Sequence, residues 1–416
     1  MAGYGSPDDY LNQEQIEEIV RTGLESVELT GKRVLILIPD GTRTMPLALF
    51  FDIFKRILKP QVKQMDYLVA LGTHQAMNDK QLSNLVGQQV INGLVEGIHI
   101  YNHEWEKPDT FINLGKIPAH DIAEISEGRL NESIPVTLNK KVLEYEQIII
   151  CGPVFPHEVV GFSGGNKYFF PGIAGPEIIN LTHWLGALIT SYQVIGAGYT
   201  PVRAVIDQAA SLIPTPTLCF TSVVTQHGMN GLFYGDAKTA WQEAAQLSAK
   251  VHIVYIDKSV KRVIAVMPEM YDDLWTAAKG MYKMEPVIAD GGEVIIYAPH
   301  INEVSYTHGA IIDTIGYHCR DYFLKQWTKF SHYPGGVLAH STHVKGKGFY
   351  DEKTGLETPR IQVTLATGIS KQRCDTINLG YLDPASISFE DWKQKEKENI
   401  LIVPHAGEML YRIKEQ

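Results

Sequence analysis

The chain alternates two kinds of segment, and that alternation limits its fold more than any other feature. Short β-branched runs, "VLILIPD", "YLVALGTH", "IHIYNHE", "QIIICGPV", "TLCFTSVV" and "VHIVYID", end in Gly, Pro, Asp or His. Amphipathic stretches such as "NQEQIEEIVRTGLESV", "LALFFDIFKRIL" and "AKTAWQEAAQLSAKV" lie between several of them. Runs that are apolar on both faces belong inside a parallel sheet covered by helices. A second group follows. "RVIAVMPE" leads into a helix through Lys279, then come "GGEVIIYAPH" and a long helical stretch around "IIDTIGYHCRDYFLKQWTKF". The expected class is α/β, with two domains, each built on a mainly parallel sheet flanked by helices, and the active site in the interdomain cleft. The boundary is placed at 258/259. The second domain runs over 259–395, and residues 396–416, with the strand "NILIVPHAG", return to the first.

Composition excludes several classes. The 416 residues are 44% hydrophobic, enough for a large core, and carry a net charge of −10 with no basic block. Nucleic acid is therefore not an expected partner. The polar, acidic opening residues hold no apolar signal core, and no run is long enough to cross a bilayer, so no membrane association and a cytoplasmic location are expected. Cys151, Cys219, Cys319 and Cys374 are far apart with no CxxC, which suits reduced thiols rather than disulfides or zinc.

Reactive side chains collect just beyond strand ends. Asp40, Gly41, Thr42 and Arg43 follow "VLILIP"; His74 follows "YLVALGT"; His103 and Glu104 follow "IHIYN"; His157 follows "IIICGPVF". Ligands of open parallel sheets bind outside those ends. Each motif alone has a plainer reading. "DGTR" suits a turn, and His103 has no partner motif and reads as structural. "GFSGGNK" lacks the spacing of a Walker phosphate loop, and no zinc spacing such as HExxH occurs. Lys167 is the one cation between Pro156 and Trp184, set in "SGGNKYFFPG" with His157 before it and His183 after it.

Taken together, "GFSGGNKYFFPGIAGPEIINLTHW" with "PH" upstream, "DGTR", "ALGTH" and "LWTAAKGM" resemble the nickel-pincer-nucleotide lactate racemase family, over about Lys32 to Ala298. The resemblance implies a nickel-pincer nucleotide cofactor, nickel(II) pyridinium-3,5-bisthiocarboxylic acid mononucleotide. Lys167 would be its covalent tether and His183 the protein ligand to nickel. Sulfur and imidazole donors suit square-planar nickel(II). Asp40, Gly41, Thr42, Arg43, Thr276 and Lys279 would contact the cofactor. Arg43, Lys279 and Trp275 would contact substrate, and His74 and His157 would be the acid–base pair. Tyr168, Phe169 and Phe170 would desolvate the lysine amine, and the glycine pair would let backbone approach the cofactor. Enzymes of cofactor synthesis would be maturation partners.

The activity so implied is inversion of C2 in a 2-hydroxy acid by removal and return of hydride. Two departures from the lactate type occur, over three positions. Trp275 and Thr276 stand where it has Tyr-Gln, and Gln75 stands where an arginine commonly follows the histidine. The polar and aromatic supply of the second domain (His300, Tyr306, His308, His318, Arg320, His343) allows a pocket for hydroxyls beyond C2. A polar, longer substrate such as a sugar acid is therefore the first expectation and lactate the alternative. A non-catalytic cofactor-storage protein is a third reading, against which the presence of both His74 and His157 argues. A zinc hydrolase lacks a ligand set.

Overall fold

The computed structural model describes residues 3–394 and 399–414. The chain forms two compact units. The first comprises the chain up to Phe155, with Phe162–Ile179 and Arg203–Val251. The second comprises Pro156–Gly161, Asn180–Val202 and the chain from His252 onward. The division falls close to the expected boundary, but the second unit also takes two segments from the middle of the chain.

The first unit is built on eight strands, in the order Gly3–Gly5, Gly228–Gly235, Thr217–Thr225, Gln147–Pro153, Arg33–Ile38, Gln64–Val69, Ile98–Asn102 and Leu94–Val95. The five strands from Thr217–Thr225 to Ile98–Asn102 run parallel; the pairings at both margins are antiparallel. Val34 to Ile38 are wholly inaccessible, as a strand covered on both faces requires. Val34, Ile36 and Ile38 join one core cluster with Ile16, Val20 and Leu24 of helix Gln13–Glu25 and with Phe50, Phe51 and Phe54 of helix Leu47–Leu58. Each such side chain contributes about 1.5–3 kcal/mol by leaving water. Asn12 and Gln15 close a capping box that fixes where the first helix starts.

The second unit carries a five-stranded, wholly parallel sheet, in the order Gly380–Tyr381, Gln362–Thr367, Ile288–Ala298, Val260–Val266 and Ile400–Val403. Here the reading of residues 396–416 is corrected. Ile400–Val403 pairs with Val260–Val266, and Leu410–Ile413 pairs with Ile253–Ile256, so the described part of that segment stays in the second unit. Residues 396–398 and 415–416 lie outside the described residues. The long helical stretch is also divided, into Gly309–Ile315, Arg320–Lys325 and Trp327–Phe330. Gly316 ends the first piece at φ +70°, a left-handed cap that turns the chain off the helix axis. All four cysteines are buried and unpaired. Among the described residues no helix is long and apolar enough to cross a membrane.

Candidate active site

The candidate residues divide between the two units. In the first unit Arg33–Ile38 and Gln64–Val69 are parallel neighbours whose last partners are Ile38 and Val69. Asp40 and His74 therefore leave the same end of the sheet side by side. Asp40 Oδ1 accepts from the Thr42 amide at 3.0 Å and the Thr42 hydroxyl at 2.6 Å, which closes the "DGT" turn. His74 Nδ1 lies 2.5 Å from Asp40 Oδ2. The Arg43 guanidinium donates to the Thr42 hydroxyl, stands 3.9 Å from Asp40 and sits over the Phe155 ring at 5.7 Å. Burial alone would push the Asp40 carboxyl up. The charge and hydrogen bond of His74, then Arg43 and Thr42, outweigh it and hold the carboxyl well below the usual carboxylate range. An ionised Asp40 can only accept, so His74 carries its proton on Nδ1 and keeps the Nε2 lone pair for chemistry. The plain-turn reading of "DGTR" is met by this carboxylate.

Lys167 sits half-buried in the 3-10 turn Gly165–Tyr168, while Tyr168, Phe169 and Phe170 pack into the core. A Cβ on Gly164 would meet Val154 at 2.5 Å, and one on Gly165 would meet the Ala237 carbonyl and Trp241 at 2.9 Å; both have positive φ. Internal packing alone requires those glycines. The loop is also clamped by two residues the sequence did not single out. Arg203, 1% exposed, donates to the carbonyls of Gly164 (2.9 Å) and Phe162 while stacking on Trp241, whose Nε1 donates to the Ser163 carbonyl at 2.9 Å.

The second unit holds His157, His183, Trp275, Thr276 and Lys279. His157 is buried. Its Nδ1 accepts from the Val159 amide at 3.2 Å, and Glu158 lies 3.3 Å away. In the neutral ring that amide puts the proton on Nε2, the opposite tautomer to His74. His183 lies on helix Pro176–Ile189, which packs against Val159 at Gly186: a Cβ there would meet Val159 at 3.1 Å. Trp275 stacks on His340 (3.8 Å, 22°) and meets His308 at 4.7 Å. Lys279, 8% exposed, places its ammonium 4.1 Å from the Tyr271 ring. The Thr276 hydroxyl bonds to Asp273, the N-cap of its own helix, at 2.9 Å.

A model of the lactate racemase N-terminal domain matches residues 11–196. Residues 11–196 therefore carry the N-terminal domain of the lactate racemase family. It is 23% identical over 299 residues to a lactate racemase of Thermoanaerobacterium thermosaccharolyticum and 24% over 300 residues to one of Lactiplantibacillus plantarum. Those matches cover 68% and 70% of this chain but 65% and 64% of the relatives, just under two thirds of their length. Among solved structures, a crystal structure of a Thermotoga maritima protein aligns with TM-score 0.91 and 32% identity over 99% of this chain and 100% of the other. The lactate racemase apoprotein of T. thermosaccharolyticum aligns with TM-score 0.70 and 18% identity over 95% and 92%, a likeness of fold.

The other candidates divide clearly. His103 is buried between Ala174 and Asn139, at 3.2 Å from each, and burial pulls its pKa down to about 4; its role is structural, as expected. His318 bonds to Glu357 at 2.8 Å and stacks on Tyr322, and His300 bonds to the Tyr271 carbonyl at 3.0 Å. His340 was not singled out in the sequence, yet it stacks directly on Trp275. Only its place on the facing helix Gly335–Lys345 reveals it. Among the described residues no group of three or more His, Cys, Asp or Glu side chains is arranged to hold a metal ion.

Proposed function

We propose that the protein inverts C2 of a 2-hydroxy acid, with His74 and His157 as its acid–base groups. The observation that carries this reading is the buried, ionised Asp40 fixing His74 with Nε2 as acceptor. A carboxylate-backed imidazole with a free Nε2 is the arrangement general acid–base catalysis asks of a histidine. The reaction removes hydride from C2 and a proton from the hydroxyl, giving a 2-keto acid, and returns both with C2 approached from the other face. Arg43 binds the substrate carboxylate and Lys279 orients its oxygens. His74 Nε2 takes the hydroxyl proton from one enantiomer. His157 serves the other: as the imidazolium it gives its Nε2 proton to the oxygen when the hydride returns, and as the neutral ring left with Nε2 unprotonated it takes the hydroxyl proton of the opposite enantiomer.

The family's nickel-pincer nucleotide fits the donor set of this chain. His183 would supply the chain's imidazole donor to nickel, a donor type that suits nickel(II), and Lys167 the amine for the tether. When bound it provides the carbon that accepts and returns hydride.

The substrate is a polar 2-hydroxy acid longer than lactate. Trp275, banked between His340 and His308, offers a rigid aromatic face with imidazole edges in place of the Tyr-Gln pair of the lactate type. Lactate itself is the second reading, favoured by the names of the two curated relatives. A racemisation assay of cofactor-loaded protein over single enantiomers of lactate, malate and aldonic acids decides. Turnover of a hydroxylated acid above lactate is expected. Turnover of lactate alone selects the second reading, and cofactor binding with no turnover of any 2-hydroxy acid overturns both.

A further inference from the structure

A cavity of about 80 Å³ in the second unit is lined by Thr190, Ser191, Arg320, Thr342 and Lys347, with Ala187 on the helix that carries His183. Two polar atoms on its wall are buried and have no hydrogen-bond partner among the described residues: Thr190 Oγ1 and Arg320 Nε. The other ends of the guanidinium are occupied, Nη1 by the Leu188 carbonyl at 2.8 Å and Nη2 by Asp321 at 3.5 Å. The Thr342 hydroxyl donates to the Ala339 carbonyl at 2.9 Å. The groups left over are an N–H of Arg320 and the hydroxyl of Thr190; Lys347, whose ammonium lies 4.5 Å from the Tyr192 ring, adds a second cation to the lining.

Thr190 is unusual in a second way. It holds φ +95°, a region that β-branched residues avoid. It occupies the N-cap position of Ser191–Val194, where a threonine side chain ordinarily accepts an amide, but it makes no such bond. Strain of this kind persists where the surroundings fix it and is often kept at a ligand site.

We propose that this cavity is a binding site for a small oxyanion, a carboxylate or a phosphate group, held by Arg320, Lys347 and Thr190. A water could enter a space of this size, but water offers donors as well as acceptors, whereas the lining presents an N–H on one cation, a second cation and a hydroxyl that can turn to donate. An acceptor-only ligand satisfies them all. The carboxyl ends of two helices oppose an anion here. That opposition is reduced because Arg320 caps the Leu188 carbonyl and the Gly346 amide caps Thr342 at 2.8 Å. The site uses none of the residues assigned to C2 chemistry, so its test is independent of that reading.

The test is isothermal titration of the full chain with inorganic phosphate and, separately, with acetate, at constant ionic strength against chloride. Saturable binding of at least one is expected; phosphate alone, acetate alone or both identifies the chemistry recognised. Lys347→Ala and Thr190→Val should each weaken that binding roughly tenfold or more, the scale of one charge-assisted hydrogen bond. Lys347 is exposed, so its variant should melt like the wild type without ligand and decides the matter if Thr190→Val folds poorly. Amide exchange at Thr190 to Tyr192 should slow with the anion present. No saturable binding of either anion, or wild-type affinity in Lys347→Ala, overturns the proposal.

Discussion

His74 in the first unit and His343 in the second are the same residue type put to opposite uses. His74, 26% exposed at the side chain, rests against a buried carboxylate that fixes its tautomer and balances a positive charge. His343 is 3% exposed, faces no carboxylate, and neither ring nitrogen has a hydrogen-bond partner among the described residues. Burial pulls its pKa down to about 3, and its neighbour His340 is held well below the ordinary value by burial and by the nearby His343, His308 and His183. A buried imidazole with no counter-charge is held neutral, whereas a carboxylate beside the ring fixes which nitrogen carries the proton. Composition treats the chain's histidines alike. The difference lies in a second-strand carboxylate present in one place and absent in the other.

The largest expected effect that breaks this contrast comes from His74→Gln. Loss of the acid–base group should cut racemisation by roughly 10²- to 10⁴-fold in both directions, with thermal stability and cofactor binding kept. Turnover within a few-fold of wild type would put His74 outside the chemistry. Arg43→Lys is a smaller perturbation. It keeps the charge but loses the planar fork, so KM for the hydroxy acid should rise about tenfold while kcat changes less. An unaltered KM would remove Arg43 from substrate binding.

His343 supplies the smallest effect, and it appears in stability rather than rate. The unfolded chain binds a proton on this histidine below pH ~6.5, and the folded one only near pH 3. Above pH ~6.5 neither state is protonated and the residue costs nothing. As pH falls from there toward about 3, the unfolded state gains protons first, and stability drops by up to about 1.4 kcal/mol per pH unit. His343→Leu should flatten the stability slope between about pH 6.5 and about pH 4 by the equivalent of one proton, read from urea denaturation. Parallel slopes for variant and wild type would show that the unfolded and folded states hold this proton alike.

Much of this was legible before any coordinates. Strand ends dictated by apolar runs located Asp40 and His74 at one end of the sheet, and the helices Gln13–Glu25, Leu47–Leu58 and Ala237–His252 follow their apolar periodicity. The Asp40–His74 bond was not read, although both residues sit at strand ends, because strand order is not written in local sequence. The same reason misplaced Ile400–Val403: a short apolar strand carries no label for its sheet. Gly165 also packs against Trp241, far along the chain, a constraint that the local motif does not carry. His340 escaped notice because its significance is a ring stacked on Trp275 from another helix.

If Asp40 sets His74 up as an acid–base group, Asp40→Asn in the cofactor-loaded protein should reveal it. The amide is close in size and keeps an acceptor for the Thr42 turn. It cannot balance an imidazolium, and it can present a donor to Nδ1 that favours the wrong tautomer. Steady-state racemisation should fall by about 10²-fold or more across the pH profile, while bound cofactor and folded structure are retained. A variant that racemises at the wild-type rate, with the same pH dependence, would contradict that role for Asp40.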